Sequence, residues 1–442
     1  MKNRVRFLIV LALVAVLAVA AVGSVMAQTK FSAYVSGIQV ANLETSPATV
    51  TLAAYNSDGT KNGSDIVDTI PGSGSKTYFP LSNVSQGFSG SVIISSDKNV
   101  AAISNILSSD YSAGGSYVGR SSGATQVQMP LLNKNNSGFT TWYSVQNAST
   151  DPATVNVEYS DGTSAGPVTI QPGAASVFYQ DNETHNSAVF SGIVTSDKPI
   201  VAAGIQESSD IIFSYTGFTG GAASPVFPLI NANNSGYVTG LQIQNTGDQA
   251  TDVEVTYTAT VGTNCTETQT IPARGSNTFA LAAFANGQNS DCAAGARFVG
   301  SAKVTGNSTG QLLVGIGNQL LPGTNGEAYV SFDADAATST VVMPLIMDRN
   351  SGYFTGFNIQ NVGDSRTTVT CEFTNTDYTV SGTIDPRAAL NAIQNNEIAD
   401  GYVGSGRCTA SDSNAKIVAV VNQLGSAAGA DQFLVYEGVN VE

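Results

Sequence analysis

Large apolar residues recur at every second position through much of the chain. Val155-Val157-Tyr159 and Val253-Val255-Tyr257 are such runs, with polar Asn156, Glu158, Glu254 and Thr256 between them. Val50-Leu52-Ala54 and Val369-Cys371-Phe373 follow the same pattern. Alternation sustained over five residues predicts a strand buried on one face. Turn signals come soon after, at Asp58-Gly59 and Asp161-Gly162. Helical periodicity is almost absent.

The pattern is itself repeated. An Asn closes an apolar strand at Asn42, Asn147, Asn245 and Asn361, in "GIQVAN", "WYSVQN", "LQIQN" and "FNIQN". These positions lie roughly 100 residues apart, the signature of a tandem array. Each is followed by an alternating strand and by a block with a Pro-centred turn: "DTIPGSGSKTYF", "VTIQPGAASVF", "QTIPARGSNTF" and "GTIDPRAALNA". An aromatic-x-Gly corner comes next, at Phe88-Gly90, Phe190-Gly192, Phe298-Gly300 and Tyr402-Gly404. An apolar strand and an aromatic strand ("GSYVG", "FSYTGF", "EAYVSF", "QFLVYEG") complete the unit.

Seven or eight short strands per unit, with frequent turns, predict an all-β chain of four tandem immunoglobulin-like β-sandwich domains. The expected boundaries are 28–132, 133–230, 231–346 and 347–442, after a leader at 1–27. Three junctions carry a Pro-Leu run and then Asn/Arg-x-Ser-Gly-aromatic: "PLLNKNNSGF", "PLINANNSGY" and "PLIMDRNSGY". Pro130, Gly138, Pro228, Gly236, Pro344 and Gly352 mark these elements, read as stiff interdomain joints in a rod. On this reading, a spacer inserted after Ile230 would leave both neighbours folded and let the rod bend.

Residues 1–27 change the compartment rather than the fold. "MKNRVR" is basic, Phe7 to Val22 is apolar, and "VMA" offers a small residue before a cut after Ala27. This reads as a secretory signal peptide, the apolar run being shorter than the roughly 20 residues of a spanning helix. The net charge is −15, and loss of Lys2, Arg4 and Arg6 would make it three units more negative. Nucleic acid and anionic membrane surfaces are disfavoured as partners, since both require a basic patch. Charged residues are 12% and hydrophobic residues 42%, with 45 Gly, which argues for a folded secreted β-protein over disorder.

Four cysteines fall in the last two units. In a secreted chain they predict disulfides, and pairing within units gives Cys265–Cys292 and Cys371–Cys408. Cys371 replaces an inward residue of an alternating strand, so its bridge is expected to be a buried staple across the two sheets. Cys265 and Cys292 are expected to clip longer loops.

Reactive groups are sparse. His185 is the sole His, has no counterpart in the other units, and sits in the loop-like "QDNETHNSA". A lone His with no recurring partner argues against His-based catalysis or a His metal site. Asp97, Asp197, Asp248 and Asp364 lie in turn contexts, the ordinary role of such acids. Oxygen-rich loops at Asp333, Asp335 and Asp377 offer ligands of the kind Ca²⁺ takes, without an EF-hand or nonapeptide motif. No cofactor is expected otherwise. Trp142 is the sole Trp; against Gly37, Leu241 and Phe357 it reads as a core or half-buried position rather than a sugar platform.

The Pro-Leu, Asn-Ser-Gly-aromatic, Gln-Asn, Thr-Ile-x-Pro and Phe-x-Gly series resemble the tandem extracellular β-sandwich modules of bacterial cell-surface and secreted proteins. The resemblance covers nearly all of the chain beyond the leader. It implies a role as spacer, stalk, surface-layer, sheath or adhesive subunit, and no catalytic residues. The first unit departs by lacking a Pro-Leu element before it, the fourth by lacking one after it, which permits head-to-tail strand exchange. The expected function is a non-enzymatic secreted or cell-surface structural protein. The alternative is a glycan- or protein-binding module. The expected partners are copies of itself, other surface proteins or glycans, with no membrane insertion of the mature chain.

Overall fold

The computed structural model describes residues 30–280, 290–425 and 430–441. The expected leader at 1–27 lies outside them. Among the described residues every regular element is a strand except one 3-10 turn at Gln180–Asn182. The period-two pattern acts as expected: in Thr251–Val261, Thr251, Val253, Val255 and Tyr257 are buried while Asp252 and Glu254 are exposed.

The strands form pairs of antiparallel sheets whose order recurs along the chain. In the third sequence unit one sheet runs Cys265–Ile271, Thr251–Val261, Phe298–Gly306, Pro225–Ala232, Phe332–Asp333. Its companion runs Ser276–Ala280, Val238–Asn245, Leu313–Leu321, Asn325–Val330. Leu241 and Ile243 of the second sheet meet Val253, Val255 and Val304 of the first in one core. The fourth unit repeats both orders. The second unit does so with one long strand, Val189–Glu207, serving both sheets. In the first unit one sheet holds Ile66–Ile70, Ala48–Asn56 and Gly90–Ser96, and among the described residues it ends at Gly90–Ser96.

The Pro-Leu segments are not joints between units. Ala124–Asn133 pairs with Val189–Glu207, Pro225–Ala232 with Phe298–Gly306, and Thr340–Asp348 with Tyr402–Ala410. Each is therefore a sheet strand of the unit that follows. The expected cuts at 132/133, 230/231 and 346/347 fall at or beside the ends of these strands and part them from their partners. Chain passes between units instead near 119–123, 217–224 and 334–339. Ile230, fully buried in the third core, is no place for a spacer.

The rod is also overturned. The aromatic strands Gly114–Val118, Ile212–Thr216, Asn325–Val330 and Phe433–Glu437 each pack against the next, and the last packs against the first. The chain thus closes into a ring. Asn105 and Gln423 exchange side-chain hydrogen bonds of 2.8 and 3.3 Å. Arg407 donates to the Leu43 carbonyl at 2.6 Å. A corner Ser reaches the Pro-turn of the next unit in three places: Ser91 to Gly173 O, Ser301 to Arg387 O and Ser405 to Ser73 O. Mostly uncharged polar strand faces let the units seat against one another with few buried acids, each of which is hydrogen-bonded.

Both disulfides form as paired in the sequence reading. Cys371–Cys408 is buried, but it does not cross between sheets. Its cysteines face each other on adjacent strands, Thr367–Phe373 and Tyr402–Ala410. Cys265–Cys292 ties the start of Cys265–Ile271 to the segment that precedes Phe298–Gly306.

Candidate functional site

The Pro-Leu strands show why those residues recur. Each pairing slips register where Pro and Leu stand, between Met129 and Leu132, Phe227 and Ile230, and Met343 and Ile346. Pro130, Pro228 and Pro344 have no N–H, which suits a bulge where the ladder is interrupted. The Leu carbonyl is taken by a buried Tyr of the same unit. Tyr215 donates to Leu131 O at 2.6 Å, Tyr329 to Leu229 O at 2.5 Å and Tyr436 to Leu345 O at 2.5 Å. Burial raises all three phenols far above the ordinary range. The sequence reading saw these tyrosines only as members of aromatic strands.

The Asn-Ser-Gly elements are tight turns. Asn136 and Phe139, Asn234 and Tyr237, and Asn350 and Tyr353 exchange backbone hydrogen bonds in both directions. The two central residues have positive φ, 52° at Ser137, Ser235 and Ser351, and 87°, 87° and 85° at Gly138, Gly236 and Gly352. Two consecutive positive φ values define the hairpin turn that favours Gly at its second position.

Asn42, Asn147, Asn245 and Asn361 are buried and satisfied internally. Each Nδ2 donates to the carbonyl four residues on and to Ile70, Ile170, Ile271 or Ile384 of the Thr-Ile-x-Pro block. Each Oδ1 accepts from the N–H two residues on. Asp97 and Asp197 likewise accept from Thr49 N and Thr154 N at 2.7 Å. These groups hold loops to strands.

His185 stacks on Phe190 with ring centroids 4.1 Å apart. Its Nδ1 lies 3.2 Å from Asp161 Oδ2 and 3.1 Å from Thr163 Oγ1. Burial lowers its pKa, against the pull of Asp161. In a Ser-His-Asp relay the acid and the hydroxyl use opposite ring nitrogens; here both approach Nδ1. Among the described residues the one cluster of three metal-type ligands is Cys265, Asp291 and Cys292, and both its sulfurs are in a disulfide. In the oxygen-rich loop, Asp333 Oδ1 accepts from the Asp335 N–H at 2.9 Å.

The ring centre carries acids that the sequence reading did not single out. Glu327 Oε1 accepts from Ser214 N at 2.8 Å and Ser214 Oγ at 3.0 Å. Asp431 accepts from Gly326 N at 2.9 Å and Ile212 N at 3.1 Å. Glu437 accepts from Val330 N at 2.5 Å. Each carboxylate caps a buried backbone N–H on the edge of a strand from another unit. Burial pushes Asp431 up to about 8, Glu437 to about 7 and Glu327 well above the carboxylate range. Glu207, also raised by burial, accepts from Lys30 N at 2.8 Å and from the Tyr34 hydroxyl.

A cleft of about 2240 Å³ opens between the first and second units and reaches residues of the third and fourth, among them Phe332 and Val439. Val92, Ile94, Tyr117, Trp142, Ser144 and Gln146 line it, among others. Strand pairing sets Trp142 opposite Ile205, and Gly37, Gly240 and Gly356 opposite Asn105, Asn318 and Asn422. The true counterparts of Trp142 are thus three glycines. The earlier series with Leu241 and Phe357 is off by one residue, which moves a side chain to the other face. Trp142 is half-buried, as expected, with its ring 5.7 Å from Tyr34 and 6.2 Å from Tyr179.

No family model and no curated protein matches the chain. A solved structure of the tetra-tandem repeat in the extending region of a large adhesion protein is similar at 11% identity, over 94% of this chain and 96% of that one, with a TM-score of 0.10.

Proposed function

We propose that the chain is a non-enzymatic extracellular structural or adhesive protein, built of four β-sandwich domains closed into a ring and exported by the leader at 1–27. The observation that carries this reading is the use of the recurring polar residues. The strand-closing Asn, the Ser-Gly turn, the Leu carbonyl and the Tyr hydroxyl all serve internal hydrogen bonds. What the repetition has multiplied is a scaffold, not a reactive centre. Two disulfides suit an oxidising compartment. No helix among the described residues is long and apolar enough to cross a membrane. Closure favours a compact head or lattice unit over a stalk, because the first and fourth domains touch.

Fractionation of producing cells, with electron microscopy of the purified protein, tests this. Compact particles outside the cell, or a lattice on its surface, are expected. Cytoplasmic protein with four free thiols would overturn it. A binding module is the second reading, favoured by the cleft beside Trp142.

A further inference from the structure

We propose that the cleft between the first and second domains is a strand-acceptor groove, which takes an extended, uncharged, apolar segment of a partner polypeptide by β-augmentation. The inference rests on residues 1–27 being a removed leader.

The argument is the continuity of one interface around the ring. Ala124–Asn133 lies between its own sheet and the strands Val238–Asn245 and Leu313–Leu321 of the next unit. Pro225–Ala232 lies likewise against Tyr353–Asn361 and Ile417–Gly425. Thr340–Asp348 lies against Tyr34–Asn42 and Val100–Ser108. The fourth such position is the cleft. One wall is the edge strand Gly90–Ser96; the other is the face of Thr140–Asn147 that carries Trp142, Ser144 and Gln146.

The groove shows what it lacks among the described residues. Ile94 occupies the ladder position of Val194, Val304 and Cys408. Those three are fully buried, whereas Ile94 is half-buried. Tyr117 occupies the position of Tyr215, Tyr329 and Tyr436, each of which holds a Leu carbonyl of the inserted strand. A free sheet edge offers backbone donors and acceptors in register, and side-chain pockets at alternate positions select the sequence.

The three cis occupants define the chemistry of the fourth. They are strands of 8 to 10 residues, such as "ATQVQMPLLN" and "PVFPLINA", with apolar side chains on both faces and no charged residue except the terminal Asp348 of the third. Both faces must be apolar because a sheet covers each. The incoming carbonyl at the bulge accepts from Tyr117. Val92 stands where Gly192, Ala302 and Gly406 stand elsewhere, so the residue opposite it is smaller than Met129, Phe227 or Met343.

The probe is a decapeptide with the sequence of residues 124–133 carrying Met129→Ala, added to the chain beginning at Gln28. Trp142, the sole Trp, reports occupancy by its fluorescence. A saturable shift is expected. It is absent for the same peptide carrying Val127→Lys, and Tyr117→Phe weakens it about fivefold, the effect of one lost hydrogen bond. No saturable shift, or equal binding of the Lys peptide, overturns the proposal. So does a shift produced by neutral oligosaccharides and not by the peptide, which makes the cleft a glycan site. Dimerisation of the chain with the same shift in the absence of peptide also overturns it in favour of a second copy. Intact mass of the exported protein tests the leader separately. Retention of residues 19–27, which precede Asn42 at the spacing of the other inserted strands, overturns the partner in favour of an occupant in cis.

Discussion

Asp431 ties the fourth unit to the other three at once, and its titration should be visible in the stability of the whole ring. The residue is 1% exposed; its carboxylate accepts from Gly326 N and Ile212 N, and its backbone N–H donates to Ser112 O. Burial raises its pKa to about 8, against a value near ~4 in the unfolded chain. Between these values the folded state keeps a proton that the unfolded state has lost. The stabilisation is therefore full below about pH 4 and is lost as pH rises through about 8. The slope is about 1.4 kcal/mol per pH unit, or about 3 kcal/mol between pH 5 and pH 7. Asp431→Asn removes the titration. It also leaves one N–H facing an amide donor, a cost of about 1–3 kcal/mol that does not vary with pH. Urea unfolding of both chains at pH 5, 6, 7 and 8, compared where their m-values agree, reads this titration together with the response of Glu327, whose pKa the Asp431 charge also raises. The stability advantage of wild type over the variant should shrink by about 3 kcal/mol from pH 5 to pH 7. An advantage constant to within about 0.5 kcal/mol would refute the reasoning, because Asp431 would then not titrate in this range.

The tyrosines give an internal comparison. Tyr215→Phe, Tyr329→Phe and Tyr436→Phe should each cost about 1 kcal/mol in urea unfolding, whereas Tyr117→Phe, whose hydroxyl meets Ser104 and no Leu carbonyl among the described residues, should cost less than these three. Asn245→Ala removes bonds to Gln249 O, Ile271 O and Pro272 O and should destabilise by about 2–4 kcal/mol, more than an exposed substitution such as Thr154→Ala. A four-residue Gly/Ser insertion after Gly220, where an added Cβ would meet nothing, should leave near-ultraviolet circular dichroism unchanged. The same insertion after Ile230 should abolish soluble expression.

Local chemistry was legible in the sequence, and long-range closure was not. The alternation of Val253, Val255 and Tyr257 and the spacing of the four Asn residues gave the strands and the repeat. The paired disulfides followed from the cysteine positions. The Pro-Leu strand was recognised as a strand, yet a Ser-Gly turn beside it looks the same whether it links two units or two sheets of one unit. Only the pairing of Met343 with Gly406, across much of a unit, decides between them. The Cys371 bridge was misplaced for a similar reason: an inward residue can bond to a neighbour in its own sheet as well as to the opposite one. Asp431 gave no signal, because its partners Gly326 and Ile212 are backbone groups far away in sequence. The Trp142 series failed by one residue of register, and with period two that sufficed to reverse the face.

Closure has a consequence for copy number. Solenoids grow or shrink by whole units because each touches only its neighbours. Here Gly114–Val118 meets both Ile212–Thr216 and Phe433–Glu437, so the angle between units is fixed by the requirement that the fourth return to the first. A fifth unit would find no edge to join, and loss of one would leave two edges that do not meet. Recombination between repeats, the ordinary source of length variation in tandem arrays, would therefore yield chains unable to close.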